Sequence, residues 1–258
     1  SAQDGGVPHL GCDCETCEES REDHSKVKYA SSLKIYREDG PEFLIDASTD
    51  IRFQISDEFL DGIFLTHAHL GHYIGLLQFG KEAKNADFVP VYCTEKMKKL
   101  IMDNRHFKYL VDRENIEFHD LEPEKNHDIS FFTLRPIPVK HRYVETDTMS
   151  FLIETENKQL YYVTDIDKWD DRTEDIIRNV DIALIDGTYY SRDEVGRYSE
   201  IPHPPIKESM EKFEDCDTEI VFIHMNHTNP ILDEDSEERK KLEDKGFKVA
   251  EEGMTFDL

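Results

Sequence analysis

The chain has 258 residues, with 31 Lys and Arg against 57 Asp and Glu, a formal net charge of −26. That balance argues against nucleic acid as partner or substrate, because phosphate binding needs clustered Lys and Arg. Hydrophobic residues at 38% allow a sizeable core, and no apolar run approaches the roughly 20 residues of a membrane-spanning helix. A soluble, cytoplasmic protein with a small-molecule substrate and no membrane partner is therefore the expectation, with a homodimer as one option. The opening Ser1-Ala2-Gln3-Asp4-Gly5-Gly6 reads as cut into rather than begun, which leaves a removed leader open.

The first feature along the chain is Cys12-Asp13-Cys14-Glu15-Thr16-Cys17, three of the five cysteines. Such clustering suggests a metal site rather than a disulfide framework. A structural zinc wants four ligands, and no fourth cysteine is near in sequence; free or partly oxidised thiols are the competing reading. Strand-like runs rich in β-branched and aromatic residues then fall at Ser32–Tyr36, Glu42–Ile45 and Gly62–Leu65. Directly behind the third comes Thr66-His67-Ala68-His69-Leu70-Gly71-His72, with three histidines in six positions. Alternate strand residues share a face, so a strand end can aim His67 and His69 at one point, with His72 following from the next turn. Imidazole is the commonest metal ligand, and three unrelated surface histidines are the weaker reading. A helix is predicted over Tyr73–Glu82, a strand over Phe88–Tyr92 and a helix over Glu95–Met102. Strands follow at Ile129–Val139, Thr148–Glu154 and Gln159–Val163, then a helix at Arg172–Asn179 and a strand at Ile182–Ile185. The last elements are a helix at Pro205–Phe213, a strand at Glu219–Ile223 and a helix at Ser236–Lys245. No repeat or linker divides them, so one domain spanning 1–258, with a Cys-rich segment at 12–17, is expected. The pattern alone gives only mixed α and β, a mixture that suits two sheets packed face to face with helices outside.

The histidine run resembles the H-x-H-x-D-H signature of the metallo-β-lactamase superfamily, with Gly71 where the family has aspartate. The resemblance implies an αββα sandwich of two facing mixed β-sheets. It also implies further landmarks. The family's early aspartate matches Asp46, closing Phe43-Leu44-Ile45, where it would support the ligands by outer hydrogen bonds and serve catalysis with His203, below. An ordinary strand-end aspartate is the alternative. Its third-motif histidine matches His141 after Ile137-Pro138-Val139-Lys140, ahead of His119 and His127 in polar, loop-like sequence. Its bridging aspartate matches Asp165 after Tyr162-Val163-Thr164, with Asp167 and Asp186 as rivals. Its last histidine matches His224 after Ile220-Val221-Phe222-Ile223. The implied sets are His67, His69, His141 and Asp165 for one metal, and His72, Asp165 and His224 for a second. Mixed N and O donors suit Zn²⁺, with Mn²⁺ or Fe²⁺ as alternatives. Gly71 removes a carboxylate from the second position, so that metal is expected to be weak or absent.

The cysteine cluster narrows the resemblance to two branches: the phosphoribosyl cyclic-phosphate phosphodiesterase, and the pyrroloquinoline quinone biosynthesis protein B group. The first implies a structural zinc on Cys12, Cys14, Cys17 and His227, and a general acid at His203, in Pro202-His203-Pro204-Pro205. A solvated loop histidine is the competing reading there. The segments Asn226-His227-Thr228-Asn229-Pro230 and Tyr162-Val163-Thr164-Asp165-Ile166-Asp167 lean toward the second branch. The expected function is a metal-dependent hydrolase, phosphodiesterase-like, attacking a small phosphodiester or related ester through a metal-bound hydroxide. The alternatives are a metal-dependent oxidoreductase of cofactor biosynthesis, resembling the protein B group, and a non-catalytic metal-bound ligand-binding protein.

Overall fold

A computed structural model describes residues 1–2, 6–55, 60–142, 146–194 and 202–258. The first sheet runs β1 (Leu33–Tyr36), β2 (Glu42–Ile45), β3 (Gly62–Phe64), β4 (Val89–Cys93) and β5 (Ile116–Asp120), in that spatial order. β1 and β2 form an antiparallel hairpin; β2 to β5 are parallel. The second sheet has the order β12-β11-β10-β9-β8-β7-β6. Its members are β6 (His127–Ile129), β7 (Phe132–Val139), β8 (Thr148–Glu154), β9 (Gln159–Val163), β10 (Ile182–Asp186), β11 (Glu219–Ile223) and β12 (Lys248–Val249). β6 to β9 are antiparallel neighbours and β9 to β12 are parallel.

Side-chain alternation makes these sheets into layers. On β9, Leu160 and Tyr162 point between the sheets, where they meet Phe43, Ile45 and Phe64 of the first sheet. Tyr161 and Val163 point the other way, against helices α6 (Asp171–Asn179), α7 (Ile206–Phe213) and α8 (Glu237–Asp244). The outer face of the first sheet, Leu44, Ile63 and Val91, packs on α4 (Glu95–Asp103) and α5 (Arg105–Asp112) through Met97, Ile101 and Phe107. Three buried apolar clusters thus fill the three gaps of a helix–sheet–sheet–helix stack, the αββα architecture.

Several local expectations are corrected. The helix predicted from Tyr73 is a short α3 (Leu70–Tyr73) running into a 3₁₀ turn (Ile74–Phe79). The long strand from Ile129 is two strands, because Ser130 turns with φ 51 and reverses the chain. His119 and His127 sit on the edge strands β5 and β6 rather than in loops, and neither joins a metal-capable group among the described residues. Helices α1 (Glu15–Glu22), α2 (Ile51–Gln54) and α5, and strands β5, β6 and β12, add to the predicted set.

Candidate metal centre

Parallel strands place their carboxyl ends together, and open α/β sheets hold ligands there. β2 ends at Asp46, β3 leads to Thr66 and His67, β9 to Asp165, β10 to Asp186 and β11 to His224. Asp46, Asp165 and His224 have φ of 63, 46 and 63, and His203 has φ 113. Non-glycine residues rarely adopt this left-handed region, at a cost of about 1–3 kcal/mol each, and such positions cluster at functional sites. The strain turns each side chain out of its strand line toward a common point.

Close packing fixes His72 as well. Gly75 presses on the 46–48 turn; a Cβ there would lie 2.1 Å from the Ser48 carbonyl oxygen. The Ala47 and Gly75 amides complete the contact, donating to His72 and Ala47 carbonyls. His72 Nδ1 then lies 2.6 Å from Asp46 Oδ2 and donates to it. Asp46 also accepts from the Thr66 amide and hydroxyl. The Thr66 oxygen accepts in turn from His67 Nδ1 at 2.9 Å. Asp46 is fully buried behind the histidines and orients them; it does not stand among the inward-facing atoms. With Nδ1 engaged, His67 and His72 present Nε2 lone pairs inward.

The inward atoms form two groups that share one carboxylate. Asp165 Oδ1 is 3.3 Å from His141 Nε2 and 3.9 Å from His67 Nε2, and His67 Nε2 is 2.9 Å from His69 Nδ1. Asp165 Oδ2 is 3.1 Å from His224 Nε2 and 3.4 Å from His72 Nε2. Ligands about 2.0–2.2 Å from a zinc ion are separated by about 2.9 Å at right angles and about 3.4 Å at tetrahedral ones. Despite these short separations, Asp165 Oδ2 and both ring nitrogens of His141 are buried without a hydrogen-bond partner. Buried polar atoms that converge but do not pair with one another fit a cation between them. Burial and then the neighbouring imidazoles hold His67 well below the ordinary histidine range; burial and then His203 bring His141 to about 3. Burial raises the Asp165 carboxyl to about 6. A cation is what would stabilise all three as donors.

A third arrangement stands beside the second group. His203 Nδ1 donates to Asp186 Oδ2 at 2.6 Å. Thr188 donates its hydroxyl to Asp186 Oδ1 at 2.8 Å and accepts from His224 Nδ1 at 3.0 Å. Burial opposes charge on His203, yet the Asp186 carboxylate raises its pKa. Burial likewise opposes charge on Asp186, but His203 and then His224 hold its carboxyl well below the usual range. Asp186, weighed from sequence only as a rival ligand, is therefore the partner of His203. Asp167 lies 3.3 Å from His141 Nδ1 and accepts from the Arg142 amide. Thr66, Thr188 and Asp186 had no sequence signal beyond their positions at strand ends.

The cysteines form a separate cluster. Cys14 is the N-cap of α1 and Cys17 lies one turn inside it, where the helix dipole favours thiolates. His227 Nδ1 is 3.5, 3.4 and 3.7 Å from the sulfurs of Cys12, Cys14 and Cys17. Tetrahedral zinc with Zn–S of about 2.3 Å and Zn–N of about 2.0–2.1 Å separates S from N by about 3.5 Å. His9 stacks on the His227 ring at 5.0 Å, and its amide donates to Cys17 Sγ. Burial pushes the Cys17 thiol up to about 12, so loading this cluster near neutral pH must displace its proton.

Residues 42–225 match the Beta-lactamase superfamily domain. The chain is 28% identical to Coenzyme PQQ synthesis protein B of Nitrosococcus oceani, over 100% of this chain and 98% of that protein. The same figures hold for Coenzyme PQQ synthesis protein B of Acinetobacter baumannii. Among solved structures, Zn(2+)-bound PqqB from Methylobacterium extorquens superposes with a TM-score of 0.86 at 25% identity, covering 100% of this chain and 98% of that one. A diphosphatase from the PhnP family superposes with a TM-score of 0.76 at 24% identity, covering 98% and 92%, a likeness of fold.

Proposed function

The chain belongs to the β-lactamase superfamily, and from that membership we propose that it is a metal-dependent hydrolase of a small phosphodiester or related ester. The observation that carries this reading is the division of Asp165, with Oδ1 facing His67 and His141 and Oδ2 facing His72 and His224. A divalent ion held by these residues, zinc by this donor set and by likeness to the zinc-bound PqqB, would supply an acidic water and polarise a substrate oxygen. The chain's own groups do the rest. Asp46 and Thr66 lock the tautomers of His72 and His67. Asp186 fixes the Nδ1 proton of His203, leaving Nε2 to hold a second proton for a leaving oxygen. The four-ligand set of Cys12, Cys14, Cys17 and His227 is proposed to hold a structural zinc.

Whole-length identity to Coenzyme PQQ synthesis protein B favours a second reading, a metal-dependent step in cofactor synthesis. Bis(p-nitrophenyl) phosphate, offered with Zn²⁺ or Mn²⁺, separates the two. The hydrolase reading expects turnover that His203→Gln reduces by about 10²–10⁴-fold, the range of general acid–base catalysis. Turnover that appears only with Fe²⁺ and oxygen contradicts it and favours the second.

A further inference from the structure

We infer that the Cys12/Cys14/Cys17/His227 cluster sets the metal affinity of the half-site formed by His72, Asp165 and His224. The inference rests on reading both as metal sites. Only two residues, Met225 and Asn226, separate His224 from His227, and the chain from 225 to 229 folds back on the support of His224. The Asn226 amide donates to the Thr188 carbonyl at 2.9 Å. The Asn229 amide donates to the Asn226 carbonyl at 2.9 Å, and its side chain donates to the Gly187 carbonyl at 2.8 Å. Thr188 is the residue whose hydroxyl accepts from His224 Nδ1. Gly187 closes the ring, its amide donating to the Ile223 carbonyl at 2.8 Å. A Cβ at Gly187 would lie 3.0 Å from that carbonyl oxygen, so the two strand ends meet without slack.

One end of this ring is thus His224, held with φ 63, and the other is His227 against three sulfurs. The ties inside the ring are neutral hydrogen bonds, worth about 0.5–1.5 kcal/mol each. Coordination at His227 is the strongest single restraint available to the segment. Releasing it frees the 225–229 turn from the Thr188 and Gly187 carbonyls, and the backbone that aims His224 loses its outer support. His67, His69 and His141 come from other elements and keep theirs. The effect therefore falls on one half-site and spares the other.

The test uses Co²⁺ added to the metal-free chain, since thiolate-bound cobalt gives charge-transfer bands that imidazole–carboxylate cobalt lacks. Cys12→Ser is chosen because Cys12 is only partly buried, whereas Cys17 is fully buried. In this variant the second histidine-site cobalt should bind about 10–100-fold more weakly, the usual cost of disturbing ligand support, and the first should be unchanged. Equal affinities for both cobalts in variant and parent overturn the inference alone. A parent that takes up no second cobalt beside His72 and His224 overturns the inference, and no cobalt at the histidine sites at all overturns the metal-centre reading with it. If circular dichroism shows Cys12→Ser unfolded, the coupling is read from the other side, because linkage is reciprocal. His72→Ala, which disables the half-site without changing any residue of 224–229, should then weaken the thiolate-site cobalt by the same factor relative to the loaded parent. An unchanged thiolate-site affinity overturns the inference.

Discussion

Asp165 is buried among imidazoles, and its behaviour without metal gives a pH dependence whose sign follows from its neighbours. His67, His141 and His224 are lowered from 6.5, each chiefly by burial. Just below about pH 6.5 the unfolded chain protonates all three while the folded chain does not, so stability falls as pH falls through that window. Asp165, raised to about 6 from 3.8, acts in the opposite sense: its folded-state proton stabilises at low pH and that gain is lost as pH rises toward 6. His203 is raised, so its contribution is complete below 6.5 and starts to be lost towards about pH 7, in the same sense as Asp165. Three lowered imidazoles outweigh these two opposing groups. The metal-free chain should melt at a lower temperature at about pH 5 than at about pH 7; a higher melting temperature at the acid value contradicts this. Gly71 makes a second prediction. It lies in a helical turn, a backbone that aspartate adopts freely, next to His72. Gly71→Asp should tighten the second histidine-site metal, read as metal content rising toward two ions in the histidine centre. Two tightly held ions there in the unmodified chain contradict the claim that the missing carboxylate matters.

The elements that sequence reveals are those whose pattern is set by burial. β8 and β9 are apolar through most of their length because both faces are covered, and their predicted limits coincide with the observed ones. The histidine run is legible for the same reason, since Ile63 and Phe64 announce a buried strand just before His67. Elements on the edges were not legible. β5 alternates Ile116, Phe118 with Glu117, His119, and with solvent on one side it reads as polar loop. The helix after His72 was overextended because Gly75 and Gly80 permit the tight 3₁₀ path that presses on the 46–48 turn, a tertiary demand invisible locally. Asp186 was undervalued because its partner, His203, is 17 residues away and only the fold joins them. At this scale the inter-sheet contact is the sensitive one. Phe64 is fully buried and touches Phe43, Tyr92, Phe132 and Phe151. Phe64→Ala should cost about 3–5 kcal/mol in denaturant unfolding; a loss below about 1 kcal/mol contradicts the packing of the sheets.

Across the whole molecule, strained strand ends from both sheets, Asp46 from the first and Asp165 and His224 from the second, meet at a single seam. His67, His69 and His72 follow β3 of the first sheet, whereas His141, Asp165 and His224 follow strands of the second. Correct sheet-on-sheet docking is therefore a condition for assembling either half-site, and the cysteine cluster joins the N-terminal segment to the loop after β11. The net charge of −26 fits a centre that concentrates cations. The central claim is that the histidines and Asp165 bind metal. Anomalous X-ray diffraction at the zinc edge, on crystals of chain purified without chelator, tests it directly. The account predicts a strong peak bounded by His67, His69, His141 and Asp165, a second among Cys12, Cys14, Cys17 and His227, and a weaker or missing one beside His72 and His224. No anomalous peak at the histidines, with their side chains well ordered, contradicts it.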